Sequence, residues 1–345
     1  MTIDQQFKYD QQIAGWLIFC AVVILGMIVL GGVTRLTHSG LSMVEWKPLI
    51  GIIPPLTEQA WVETFEKYKQ FPEYQKVNLG MTLDGFKDIF IYEYLHRVLG
   101  RLIGVLYFFP FLFFALKKRI RPGLMPKLIV LFFMGGLQGL LGWYMVKSGL
   151  VNDPRVSQYR LVAHLGVAVL IYAYMLWVVF DLLLARNLKA NSGSMPHATF
   201  SLILVGLVYL MILSGGLVAG TRAGFAYSTW PLMGVSFIPE GLYSGTPAWL
   251  AAFEDITTIQ FNHRMFAYLL FVLISALVVL LYRCGVQGRA RIGLALLMAA
   301  LIAQLTLGIS TLLLHVPVSL AAAHQGGAVV LLTAMLYVSH ALVRP

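Results

Sequence analysis

Apolar residues run along the chain in eight long blocks, near 14–34, 90–116, 126–146, 159–185, 199–219, 258–282, 292–314 and 318–342. Each is long enough to cross the hydrocarbon core as a helix, for which about 20 predominantly apolar residues suffice. Polar residues gather between the blocks, so the pattern predicts an all-α integral membrane protein with eight transmembrane helices. None of the blocks has the form of a cleaved signal. No Arg-rich amphipathic segment opens the chain either, since Asp4 and Asp10 flank Lys8 there. Between the first two blocks, after Pro54-Pro55, a surface helix is expected at about 57–70, with Trp61, Phe65 and Tyr68 on one face. An interfacial anchor is the plainer reading of that face, and a lid the alternative.

Composition agrees. The 345 residues are 59% hydrophobic and 12% charged, with mean hydropathy +0.79, whereas soluble domains average roughly 45–50% apolar and about 25% charged. A net charge of +10 would suggest nucleic acid in a soluble protein, but here the bases sort by loop, as the positive-inside rule requires. Lys117, Lys118, Arg119, Arg121 and Lys127 follow helix 2, Arg186 and Lys189 follow helix 4, and Arg283, Arg289 and Arg291 follow helix 6. These loops should face the cytoplasm. Both termini then lie inside, with 36–89, 147–158, 220–257 and 315–317 outside. Lipid, not nucleic acid, is the expected surrounding, and a bacterial inner membrane fits best. The only cysteines, Cys20 and Cys284, allow no outer-loop disulfide within one chain and read as inert small residues.

The chain repeats itself. Gly31-Gly32-Val33-Thr34-Arg35 at the end of helix 1 returns as Gly215-Gly216 with Thr221-Arg222 at the end of helix 5. Trp46-Lys47-Pro48-Leu49-Ile50-Gly51 is echoed by Trp230-Pro231-Leu232-Met233-Gly234. Glu93-Tyr94-Leu95-His96-Arg97 corresponds to Gln260-Phe261-Asn262-His263-Arg264 at a shift of 167, and Gln138 with Leu141-Gly142 to Gln304 with Leu307-Gly308 at 166. Ala163-His164 corresponds to Ala323-His324 at 160. Two tandem, pseudo-symmetric four-helix bundles are expected, 1–190 and 191–345. An even helix number in each makes the repeat parallel rather than inverted.

His96, His164, His263 and His324 each fall about one to two turns inside the outer end of an even-numbered helix. Polar residues in lipid are costly and usually functional, and imidazole is the commonest metal ligand near neutral pH. Structural zinc wants four ligands and commonly includes cysteine. A haem needs only two axial imidazoles on opposite sides of a flat ring, and bundle cores hold such groups between facing helices. Gly100, Gly166 and Gly326-Gly327 would let a porphyrin approach the backbone, although close helix packing explains them equally well. Arg35, Arg97, Arg222 and Arg264 are candidates for haem propionates, with snorkelling to the headgroups as the plainer account of Arg35 and Arg222. His38, His197, His315 and His340 read as ordinary surface residues.

One asymmetry stands out, because Glu93 is replaced by Gln260 in the second half. Residues three apart share a helix face, so Glu93 should face whatever His96 holds. An ion pair with Arg97 at i+4 is the plainer explanation and does not exclude catalysis.

The strings Glu93 to Arg97, Tyr159 to His164, Phe261 to Arg264 and Ala321 to Gly327 resemble the haem A synthase family, and Gly40 through Pro55 resembles its proteobacterial and mitochondrial branch. That resemblance covers nearly the whole chain. It implies a haem O substrate between His96 and His164, and a haem b cofactor between His263 and His324. It also implies oxidation of a ring methyl to a formyl group through successive hydroxylations, giving haem A. Glu93 matches the family's catalytic acid, which would position water or stabilise charge at the methyl carbon. Haem O synthase and the assembling terminal oxidase are the partners implied. A homo-oligomer is compatible with the chain. Some bacterial members carry a cysteine pair in the first outer loop, and this chain has none there. Two rival readings are a bis-histidine cytochrome that only passes electrons and a proton-coupled transporter that uses Glu93 and the histidines as a relay.

Overall fold

The computed structural model describes residues 3–45, 52–149, 156–184 and 195–344. Eight of its helices are long and apolar enough to cross a membrane. They are α1 (Ile3–Leu36), α4 (Leu83–Leu116), α5 (Met125–Gly149), α6 (Gln158–Leu183), α7 (Met195–Thr221), α9 (Ile256–Arg283), α10 (Gly288–Leu313) and α11 (Val318–Val343). Three shorter helices lie between them: α2 (Glu58–Lys69), α3 (Pro72–Lys76) and α8 (Ala251–Glu254). No strand occurs among the described residues. The chain is an all-α, multi-pass membrane protein, as the apolar blocks predict.

α1, α6, α7 and α11 pack on one another in the middle, with α4 against α1, α5 against α6, α9 against α7 and α10 against α11. The pairs α4/α5 and α9/α10 touch only slightly. Burial follows this plan: 56% of the most apolar stretch of α6 and 61% of that of α11 is buried, against 11% for α4 and 6% for α5. α6 and α11 are therefore the helices with least access to lipid, and each carries one of the four singled-out histidines. Polar bonds cross between the first four spans and the last four. Gln325 donates to the Ile28 carbonyl at 2.8 Å, and the Tyr172 and Thr333 hydroxyls meet at 2.9 Å.

Two boundaries differ from the sequence pattern for physical reasons. α1 begins eleven residues before its apolar block, because nothing in Ile3 to Ile13 breaks a helix and Asp4 sits favourably in its first turn. α4 begins two turns early, at Leu83, where the Thr82 hydroxyl accepts from the Gly85 amide at 3.2 Å. His96 is consequently thirteen residues into its helix, whereas His164, His263 and His324 are six or seven residues in.

The extra turns of α4 have a partner. The expected surface helix is α2, capped by the Thr57 side chain on Ala60. Its apolar face, expected in the headgroup layer, instead lies on protein. Phe65 and Tyr68 are buried against Phe86 and Phe90, and Trp61 meets Phe90 edge-on at 5.0 Å. Three of the expectations fall outside the described residues: the Trp46 to Gly51 half of one repeat match, Arg186 with Lys189, and the boundary at 190 between the two bundles.

Candidate haem-binding site

Each of the four histidines lies against a glycine of the preceding long helix. A Cβ at Gly31 of α1 would stand 3.0 Å from Cε1 of His96, and one at Gly142 of α5 would stand 3.0 Å from Cε1 of His164. The same holds for Gly215 of α7 and His263 at 3.4 Å, and for Gly308 of α10 and His324 at 2.8 Å. The missing side chain lets each imidazole lie on bare backbone, which fixes where the ring can point. These glycines stood in the repeat matches, yet the glycines chosen from sequence were others. Gly100, Gly166 and Gly326 abut Met27, Tyr209 with Leu213, and Val29 respectively, so helix packing is what they serve.

The histidines associate in twos. His164 is close enough for its charge to act on His96, and His324 on His263. Nδ1 of His96, of His164 and of His324 is buried with no hydrogen-bond partner, while Nδ1 of His263 lies 3.0 Å from the Ser214 hydroxyl. Buried ring nitrogens normally find a partner. Two imidazoles within reach of each other with ring nitrogens that lack a protein partner, as His96 and His164 are, fit a haem iron, which needs only two such ligands. No larger group of metal-binding side chains gathers among the described residues. The two pairs differ in their polar neighbours. The Gln138 amide nitrogen lies 3.4 Å from Nε2 of His164, whereas Gln304, its repeat counterpart, donates to the His324 carbonyl at 3.0 Å.

Glu93 is 2% exposed, and both its oxygens are engaged. Oε2 accepts from the Ser42 hydroxyl at 2.8 Å and from the Met43 amide at 2.7 Å, and Oε1 is ion-paired with Arg97. Arg97 also donates to the carbonyls of Met43, at 2.8 Å, and Glu45, at 3.3 Å. Glu93 and Arg97 thus pin the start of the loop after α1 onto α4.

The second half does the same with opposite polarity. Gln260 donates to the Tyr227 carbonyl at 3.0 Å, and Arg264 donates to the carbonyls of Tyr227, Thr229 and Leu232 at 2.9–3.3 Å. Where the first loop offers donors the helix carries an acid, and where the second offers carbonyls it carries an amide. Ser42 and Met43 carry no sequence signal of their own, but the Glu93/Gln260 exchange could have pointed to a difference in the loops.

Arg35 and Arg222 reach across between the first and last four spans. Nη2 of Arg35 donates to the Gly220 carbonyl at 3.0 Å, and Nη2 of Arg222 lies 3.1 Å from Nδ1 of His38. Nε of Arg35 is buried without a partner.

His340 corrects its sequence reading. It is wholly buried, with Nε2 3.2 Å from Oδ1 of Asp181 and its ring edge-on to Trp177 and Phe180. Asp181 also binds Lys127 at 2.7 Å and Arg344 at 3.2 Å, so a buried ionic knot ties α5, α6 and α11 together. His340 looked peripheral because it sits near a helix end, but the last turns of α11, from Val338 to Leu342, are buried.

Comparison with known proteins decides the family. The model describing the cytochrome oxidase assembly protein family matches residues 14–336. The chain belongs to that family. It is similar to heme A synthases of Nitrosospira multiformis, 53% identical over 342 residues covering 99% of this chain and 96% of that relative, and of Nitrosomonas eutropha, 49% identical with 97% and 96% covered. A heme A synthase of Parvibaculum lavamentivorans is 46% identical, with 99% and 98% covered. The family match takes in all four histidines, both pinning motifs, and Lys127 and Asp181 of the knot, but ends before His340 and Arg344.

Proposed function

We propose that this chain is a haem A synthase, which oxidises a ring methyl of haem O to a formyl group through successive hydroxylations. The observation that carries the reading is the pairing of the imidazoles, His96 with His164 and His263 with His324, each on a glycine floor, in a family whose relatives are named for this activity. In this reading 1–190 and 191–345 are the two functional halves. His96 and His164 hold the substrate haem O. His263 and His324 hold a haem b, which supplies an electron-transfer centre when bound. Glu93 supplies a fixed acceptor-only carboxylate beside the substrate, held by Ser42, Met43 and Arg97. Such a preorganised charge would stabilise positive charge growing at the methyl carbon. Arg35, Arg97, Arg222 and Arg264 are the candidates for the haem carboxylates; Arg97 and Arg264 each make several bonds to loop carbonyls, whereas Arg35 bonds to Gly220 and Arg222 to His38. The protein would sit in a bacterial inner membrane with both termini cytoplasmic and the haem sites toward the outer face. Haem O synthase and the assembling terminal oxidase would be its neighbours.

One observation favours the electron-carrier alternative. The Glu93/Gln260 difference matches the different polarity of the two loops and would arise without any chemistry at Glu93. Expression in cells that make haem O, followed by chromatography and mass analysis of extracted haems, separates the readings. Wild type should yield haem A or a hydroxylated intermediate, and Glu93→Gln should yield neither. Unaltered haem O throughout leaves only the carrier. His263→Ala should deplete haem b more than His96→Ala; equal depletion reverses nothing about the family but removes the assignment of halves.

A further inference from the structure

The two halves repeat in sequence, but the residues that touch the paired imidazoles do not all repeat. Locally the halves correspond: Gly142 lies under His164 as Gly308 lies under His324, and Gly31 under His96 as Gly215 under His263. Two positions in this shared frame differ. Ser214, just before Gly215, has Leu30 as its counterpart before Gly31, and Gly327, one turn after His324, has Val167 one turn after His164.

The first exchange bears on Nδ1. The Ser214 hydroxyl lies 3.0 Å from Nδ1 of His263, which leaves Nε2, the ring nitrogen remote from the helix, for iron. A ligating imidazole almost always gives its other nitrogen to such a partner, which fixes the ring and strengthens the ligand. Leu30 has no polar side-chain atom, and Nδ1 of His96 is buried without a partner.

The second exchange bears on Nε2. Gln304 donates to the His324 carbonyl at 3.0 Å, with its Oε1 over Gly327, where a Cβ would stand only 2.4 Å away. Bare backbone at 327 is what admits the amide. Val167 puts a branched side chain at the matching place in the first half, so that place is closed to Gln138. The Gln138 amide nitrogen lies instead 3.4 Å from Nε2 of His164. An amide N–H only donates, so this bond uses the lone pair that iron needs. Iron must displace Gln138 to bind His164, whereas Gln304 is already committed to backbone.

We propose that the two sites are built with unequal grip: Ser214 and the backbone-bound Gln304 make the second a retaining site, while Gln138, kept on the imidazole by Val167, makes the first a releasing one. This rests on the haem reading of both halves. A substrate site has to exchange its haem at every turnover, and a cofactor site has to keep it. Gln138 is a positioning residue in this scheme, acting on the reaction through His164.

The test uses the purified full-length protein in detergent with both sites loaded with iron protoporphyrin, so that a difference in release lies in the protein and not in the ring. Excess apomyoglobin captures what is released, and the absorption change gives the rate. Wild type should release in two phases, the fast one absent from His96→Ala and the slow one from His263→Ala. Gln138→Leu, similar in size and unable to hydrogen-bond, should slow the fast phase about three-fold, since a long hydrogen bond is a weak one, and leave the slow phase as it is. Val167→Gly, which opens the place that Gln304 takes in the second half, should slow the fast phase likewise. Ser214→Ala should speed the slow phase about ten-fold, the lower end for an outer partner of a ligating imidazole. A single phase, phases assigned the other way round, a fast phase that either first-half variant leaves unchanged or speeds, or a slow phase indifferent to Ser214→Ala overturns the unequal grip. If Gln138→Leu does not fold, Val167→Gly decides. A wild type that takes up no haem overturns the proposed function instead.

Discussion

At the scale of single residues, the contacts under the histidines carry the most information. The ring of His164 lies where a side chain at Gly142 would have to be, and His324 stands in the same relation to Gly308. Adding one methyl there forces the imidazole to move, and overpacking of this kind costs about 1–3 kcal/mol. Gly142→Ala should lower haem occupancy of the first site and Gly308→Ala that of the second, as measured by haem per protein. Gly104→Ala, where a Cβ would meet nothing within 4 Å, should leave occupancy unchanged. The sequence revealed the four histidines because ionisable residues are rare inside apolar blocks. It hid their glycine floors, since a helical glycine contacts by three-dimensional register and not by spacing along its own helix. The burial of Glu73 in the first turn of α3, 5% exposed, was hidden for a related reason, as an acid in a polar stretch reads as solvated.

Among elements, the loops after α1 and α7 are held down by helices rather than by their own structure. Arg264, 8% exposed, makes the bonds that fasten residues 227–232 to α9. A hydrogen bond to a charged group contributes about 1.5–3 kcal/mol, so Arg264→Ala should speed amide exchange in that loop by at least about ten-fold. Exchange in α6 should not change, and if it does, the arginine supports the bundle and not the loop. The eight spans were legible as apolar blocks, and α2 as a capped amphipathic stretch. What covers α2 was not, because the turns of α4 that receive it lie outside the apolar block and depend on the Thr82 cap.

For the whole molecule, the knot at Asp181 holds neighbouring ends of α5, α6 and α11 in one place. Removing one partner of a buried ion pair is strongly destabilising, because the others are left uncompensated. Asp181→Ala should cost on the order of 3 kcal/mol, at the low end for such pairs because Lys127 and Arg344 keep access to water. A thermal unfolding midpoint in detergent would read it, and an unchanged midpoint would show the knot to be dispensable. The repeat in the sequence predicts two matching halves, yet it gives no sign that Asp181 on α6 would pair with His340 on α11. Side chains that meet only across a seam have no common period along the chain.

That seam has a consequence for any attempt to cut the protein down. The most sheltered helices, α6 and α11, belong to different quartets and shelter each other. A chain amputated after its fourth span would turn the flank of α6 toward fatty acyl tails, strip Asp181 of its imidazole, and leave the Ile28 carbonyl without the amide of Gln325. Neither quartet is a spare part.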